Sequence, residues 1–105
     1  MVLGERLRAA LRTIDCPHII EIRGRGLLNA IVVDPKWERT ATEACYLMKD
    51  RGVLAKYTHQ HIIRLAPPLV ITEDQIDECV NIIKGVFHDL THMKKEDLPL
   101  PANLH

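Results

Sequence analysis

Apolar residues return along this chain at two different spacings, and the switches between them mark out its helices and strands. From Leu3, the residues Leu7, Leu11 and Ile14 recur every three to four positions, with Ala10 in the stripe and Glu5, Arg6, Arg8 and Arg12 outside it. That period predicts an amphipathic helix with its charged residues in water, ended by Cys16-Pro17. The β-rich runs His18-Ile19-Ile20-Glu21-Ile22-Arg23 and Leu27 to Val33 flank Gly24-Arg25-Gly26, the pattern of an antiparallel hairpin with a glycine turn. Only Asn29 breaks the second run, which suits a central strand covered on both faces.

Asp34-Pro35 closes that strand, and Thr40 with Glu43 forms a capping box ahead of Ala41, Ala44, Cys45 and Met48. Arg51 falls in the last turn of this second helix and Gly52 stops it. Val53-Leu54-Ala55-Lys56 reads as a short strand and Tyr57-Thr58-His59-Gln60 as a turn. Ile62-Ile63-Arg64-Leu65 then forms a strand leading to Pro67-Pro68. A second capping box, Thr72 and Gln75, opens a helix whose stripe is Ile76, Val80, Ile83, Phe87 and Leu90, weakened slightly by Gly85. Beyond Thr91 the period is lost, so residues 92–105 are expected to be a mobile tail behind a folded unit at 1–91. The order α-β-β-α-β-β-α predicts an α+β layer: a small antiparallel or mixed sheet with helices on one face.

Composition acts mainly by exclusion. With 105 residues there is one domain and a modest core. Fourteen basic residues balance fourteen acidic ones, which argues against binding nucleic acid or an anionic membrane by bulk charge. No apolar run has the length of a membrane span. Cys16, Cys45 and Cys79 are odd in number and widely spaced, as expected of buried thiols in a reducing compartment rather than a disulfide framework or a zinc site. The first helix begins almost at Met1 with no lead-in, as if cut from a longer chain.

One residue stands out chemically. Arg64 places a permanent charge in an apolar strand, and its planar fork suits a carboxylate. The nearest carboxylates in sequence, Glu73 and Asp74, lie beyond the prolines, so the partner comes from elsewhere in the fold or from outside the chain. The competing reading leaves Arg64 on a solvated edge with its head in water. Other features are weaker. Gly24-Arg25-Gly26 lacks the helix of a phosphate-binding turn, His59 and His61 lack a third metal ligand, and Lys56 reads as a surface residue rather than a desolvated nucleophile.

Taken together, Arg23-Gly24-Arg25-Gly26-Leu27-Leu28-Asn29-Ala30-Ile31-Val32, Asp50 to Lys56, Thr58-His59 and Ile62 to Ile71 resemble the C-terminal part of the ornithine aminotransferases, class III enzymes that use pyridoxal 5′-phosphate. The resemblance covers most of residues 3–91; Tyr57 and Gln60 depart from the family's AKPTHG, which has proline and glycine there. It implies a large domain upstream that carries the cofactor lysine, the aspartate facing the pyridine nitrogen and the phosphate-binding residues, leaving this chain no catalytic or cofactor-binding residue of its own. It implies ornithine and 2-oxoglutarate as substrates, a homo-oligomeric parent enzyme, and a mitochondrial matrix or cytoplasmic location. Arg64 corresponds to the arginine that receives a substrate carboxylate, and that pairs with a large-domain glutamate while ornithine reacts. Without the large domain, apolar surface around Leu65 to Leu69 is expected to be exposed, favouring self-association. The alternative is an inactive free-standing α+β module that binds a partner, such as a full-length aminotransferase subunit.

Overall fold

The computed structural model describes residues 2–25, 28–53, 55–58, 61–65 and 72–100. Helix α1 (Val2–Leu11) buries Leu7 and Leu11. It ends before Ile14 because the Thr13 amide and hydroxyl both donate to the Ala10 carbonyl, at 3.1 and 2.6 Å, and Ile14 packs on the core from the turn that follows. Arg8 departs from expectation. It is only 9% exposed, and its Nη1 donates to Asn29 Oδ1 at 2.9 Å. The one polar break in the second strand run thus supplies an acceptor to a guanidinium enclosed between helix and sheet.

Strands β1 (Ile19–Arg25) and β2 (Leu28–Val33) pair antiparallel, with Ile22 opposite Ile31 and Gly24 opposite Asn29. The turn therefore starts later than Gly24-Arg25-Gly26 suggests: Gly24 and Arg25 are strand residues, and Gly26 lies outside the described residues. Glycine is required at position 24 because β2 comes so near. A Cβ there would sit 2.2 Å from the Leu28 carbonyl oxygen and 2.9 Å from Asn29 Cα.

Helix α2 (Ala41–Asp50) has its capping box: Thr40 Oγ1 accepts from the Glu43 amide at 3.3 Å, and Glu43 Oε1 accepts from the Thr40 amide at 3.0 Å. Gly52 follows with φ +97°, the left-handed conformation that favours glycine after a helix. Helix α3 (Glu73–His92) opens with the Thr72–Gln75 box and buries Ile76, Val80, Ile83, Phe87 and Leu90. Gly85 has a packing role. A Cβ there would lie 3.3 Å from Arg51 Nη1, and Arg51 crosses at this point to pair with Asp89.

Strands β3 (Lys56–Thr58) and β4 (Ile62–Leu65) complete an antiparallel sheet ordered β1-β2-β4-β3. The expected strand at 53–56 is shifted. Val53 is a buried residue of the connection, while Tyr57 and Thr58, expected in a turn, pair with Ile63 and Ile62. Helix α1 packs on β1 and β2, α2 on β3 and β4, and α3 against both helices. Ile31, Val33, Ile63 and Leu65 meet Leu47, Met48, Ile83 and Phe87 in one core. Leu65, expected on an exposed apolar surface, is 3% exposed in that core, and residues 66–71 lie outside the described residues.

Two further expectations need correction. After α3, a short 3-10 turn (Lys95–Asp97) leads to Leu98 and Leu100, which are buried in the same core and anchor the segment up to residue 100; residues 101–105 of the expected tail lie outside the described residues. Irregular backbone carries no period, so these leucines gave no signal in the sequence. Nor is β2 covered on both faces along its whole length: on the side away from Ile31 and Val33, Val32 is 8% exposed but Leu28 at the other end is 67% exposed.

Candidate carboxylate-binding face

Alternation along β4 decides where Arg64 stands. Ile63 and Leu65 turn into the core, so Arg64 between them belongs to the opposite, uncovered face, where it is exposed. This is not a loose edge position. β4 lies inside the sheet, with Arg64 paired to Ala30 of β2 on one side and to Lys56 of β3 on the other. The guanidinium is thus carried on backbone held from both flanks, the kind of support that fixes a binding residue's origin.

The register extends this into a row. Arg23, Ala30, Arg64 and Lys56 are successive partners across the four strands, so their side chains share the open face. Arg23 is neutralised within the face by Glu21, whose Oε2 lies 3.6 Å from its Nη1. Elsewhere Arg6 pairs with Asp77 at 3.1 Å, and Arg51 with Asp89. Among the described residues, no carboxylate pairs with Arg64 or Lys56. The sequence expectation for Arg64 is met in its strand and its apolar neighbours, and among the described residues its counter-ion is missing. In the sequence, Lys56 stands only as a lone surface residue. The signal that would have joined the two is the symmetry of the pairs 56–64 and 58–62 about position 60, visible once both segments are read as one hairpin.

The remaining candidates offer less. His61 is half-buried, with its carbonyl accepting from the Val33 amide at 2.9 Å, and His59 lies outside the described residues. No group of metal-ligating side chains comes together among the described residues. Burial pushes the Cys45 thiol up to about 12 and raises that of Cys79, the reverse of what a nucleophile needs. A pocket of about 440 Å³ between the β2–α2 loop and the end of α3 is lined by His18, Asp34, Trp37, Arg39 and Thr91 among others. His18 stacks on Trp37 at 4.6 Å. Its charged lining residues, Asp34, Lys36, Glu38 and Arg39, are of both signs and point to no particular ligand. No helix among the described residues is long and apolar enough to cross a membrane.

Pyridoxal phosphate requires an enclosed cleft with a lysine amine, a carboxylate for the ring nitrogen and a cradle of phosphate donors. The Arg64 face is open, and Lys56 on it is exposed to water. The described residues do not by themselves fit that group, and no chemical step through it is derived from them. What the face can do is hold an anion: a guanidinium grips a carboxylate through two parallel N–H donors and cannot lose its proton.

The chain shares 50% identity over 103 residues with the ornithine aminotransferase of Emericella nidulans, covering 94% of this chain and 23% of that protein. Among solved structures, the ornithine aminotransferase of Toxoplasma gondii ME49 superposes with a TM-score of 0.79 at 34% identity, covering 89% of this chain and 23% of that one. The acetylornithine aminotransferase of Elizabethkingia anophelis gives 0.75 at 41% identity, covering 84% and 24%. The chain thus spans less than a quarter of the length of each of these relatives. The family model for aminotransferase class-III aligns with residues 2–87, covering α1, α2, most of α3 and the four-stranded sheet, and the chain belongs to that family.

Proposed function

We propose that residues 1–91, with Leu98 and Leu100 packed on their core, form the C-terminal small domain of an ornithine aminotransferase, and that Arg64 is its contact for a substrate carboxylate. The observation that carries this reading is an exposed guanidinium on an internal strand, with no carboxylate partner among the described residues. Half-identity to an ornithine aminotransferase over nearly the whole chain supports the substrate. On this reading the full-length protein is a homo-oligomer of the mitochondrial matrix or the cytoplasm, and its upstream domain brings the cofactor, which supplies the electron sink for amino transfer.

The residues of this chain contribute binding and orientation. Arg64 anchors the carboxylate of 2-oxoglutarate through its two-donor fork and fixes the direction in which the oxo acid approaches. While ornithine reacts, a free guanidinium would attract the α-carboxylate and turn the wrong amino group inward. A glutamate of the upstream domain masks it during that half-reaction. Arg64→Lys keeps the charge but loses the fork. In the full-length enzyme it is expected to slow the 2-oxoglutarate half-reaction at least about tenfold more than the ornithine half-reaction. Single-turnover cofactor absorbance measures both, and equal losses would overturn the assignment.

A further inference from the structure

We propose that Lys56 is a second anion contact beside Arg64, and that the pair selects a small dicarboxylate over a monocarboxylate. The inference rests on the carboxylate role of Arg64 and extends it to a residue on a different strand.

The argument begins with an electrostatic anomaly. Lys56 and Arg64 are direct cross-strand partners, so their Cβ atoms stand about 5 Å apart on the same face. Like charges placed directly opposite each other destabilise a sheet pair. Proteins relieve such a contact with a neighbouring carboxylate, as Glu21 does for Arg23 in the same row. Among the described residues, no carboxylate forms an ion pair with Lys56 or Arg64. Glu21 is two strands from Arg64, about 10 Å away at ordinary strand spacing, and is already engaged. The row beside Lys56 and Arg64 is made of Thr58, Ile62, Val32 and Glu21; the three nearest members carry no charge, and Glu21, at the far end, is paired with Arg23. Among the described residues, two positive charges are thus held adjacent with no carboxylate paired to either.

The floor beside them is small. Ala30 lies opposite Arg64 on the side away from Lys56 and is half-buried, so no side chain there crowds the guanidinium. An anion above this row meets the fork of Arg64, which fits one carboxylate in two-donor geometry, and the ammonium of Lys56, a point charge on a flexible stem that reaches a second carboxylate. Adjacent strands are about 4.8 Å apart, which suits a ligand short enough to set two carboxylates over neighbouring strands. A monocarboxylate uses the fork and leaves the ammonium unmatched.

The test is an NMR titration of the 105-residue chain at low ionic strength with glutarate, butyrate and inorganic phosphate, repeated with Lys56→Gln and Arg64→Gln. Both side chains are exposed, so neither variant disturbs the core. The expected result is tighter binding of glutarate than of butyrate, with shifts at both residues. Lys56→Gln should weaken glutarate about tenfold and butyrate less than about twofold, while Arg64→Gln should weaken both. Unchanged glutarate affinity in Lys56→Gln, alongside loss of both ligands in Arg64→Gln, would overturn the role of Lys56 and leave that of Arg64 standing. Unchanged affinities in Arg64→Gln would overturn the carboxylate site itself. Phosphate binding as tight as glutarate would overturn the dicarboxylate assignment.

Discussion

The two faces of the sheet are built from the same strands and obey opposite rules. On the helix-covered face Ile31, Val33, Ile63 and Leu65 are at most 3% exposed, and the one polar side chain of β2 there, Asn29, accepts from Arg8. On the open face Leu28 is 67% exposed and two adjacent cations face water. Strand alternation alone sorts residues that are neighbours in sequence, Ile63 and Arg64, into these two environments. The covered face is complete within the chain. Among the described residues the open face has charge and apolar surface left over, and that surplus is where binding is to be sought.

Truncation should separate the faces most sharply. Ile63→Ala removes a side chain with no exposure from the centre of the core, and the surrounding helices can collapse only in part. It is expected to cost about 3 kcal/mol. Leu28→Ala, at 67% exposure, is expected to cost under about 0.5 kcal/mol. Urea unfolding monitored by circular dichroism measures both. Comparable losses would mean that the open face is covered in solution, for instance by a second copy of the chain.

The sequence revealed the covered face better than the open one, for physical reasons. The Thr40–Glu43 and Thr72–Gln75 boxes, the stop at Gly52 and the stripe of α3 are local signals, each written within one helix length, and all appear as expected. What escaped depends on register or on partners distant in the chain. Arg8 lay off the apolar stripe of its helix, yet Asn29, 21 positions away, makes its burial possible. Leu98 and Leu100 reach the core from irregular backbone. β3, with three residues, is too short to show an alternation, so the sequence pattern points to a strand at 53–56 and leaves the pairing of Lys56 with Arg64 hidden. The binding residue was legible as an oddity in composition; its neighbour was hidden in the pairing.

Charge gives a second, smaller contrast. Arg51 and Asp89 bridge α2 and α3 on the covered side, and Asp89 is 29% exposed. The hydrogen bond from Arg51 lowers the Asp89 pKa from its ordinary value of 3.8, outweighing the effect of burial. A depressed folded-state pKa stabilises the fold above the unfolded value, and the gain is lost as pH falls through the folded value. Asp89→Asn is expected to cost about 1 kcal/mol at neutral pH and to match the parent more closely below pH 3.8. Thermal unfolding across pH 2 to 7 checks this. A deficit of the same size at every pH would show that the pair acts through packing rather than charge.

The smallest expected effect bears on the open face directly and has the opposite sign. If Lys56 and Arg64 repel each other across β3 and β4, Lys56→Gln should raise the melting temperature by about 2–4 °C at low salt. Glutamine is close to lysine in length and is no better suited to a strand, so the gain would come from charge. It should shrink toward zero near 1 M salt, where screening acts within about 3 Å. Saturating glutarate should reverse the order of the two proteins, because the dianion binds the chain that holds both cations about tenfold more tightly and so stabilises it more. A variant that melts below its parent in salt-free buffer would show that Lys56 is satisfied where it stands, and the uncovered face would then need no anion to complete it.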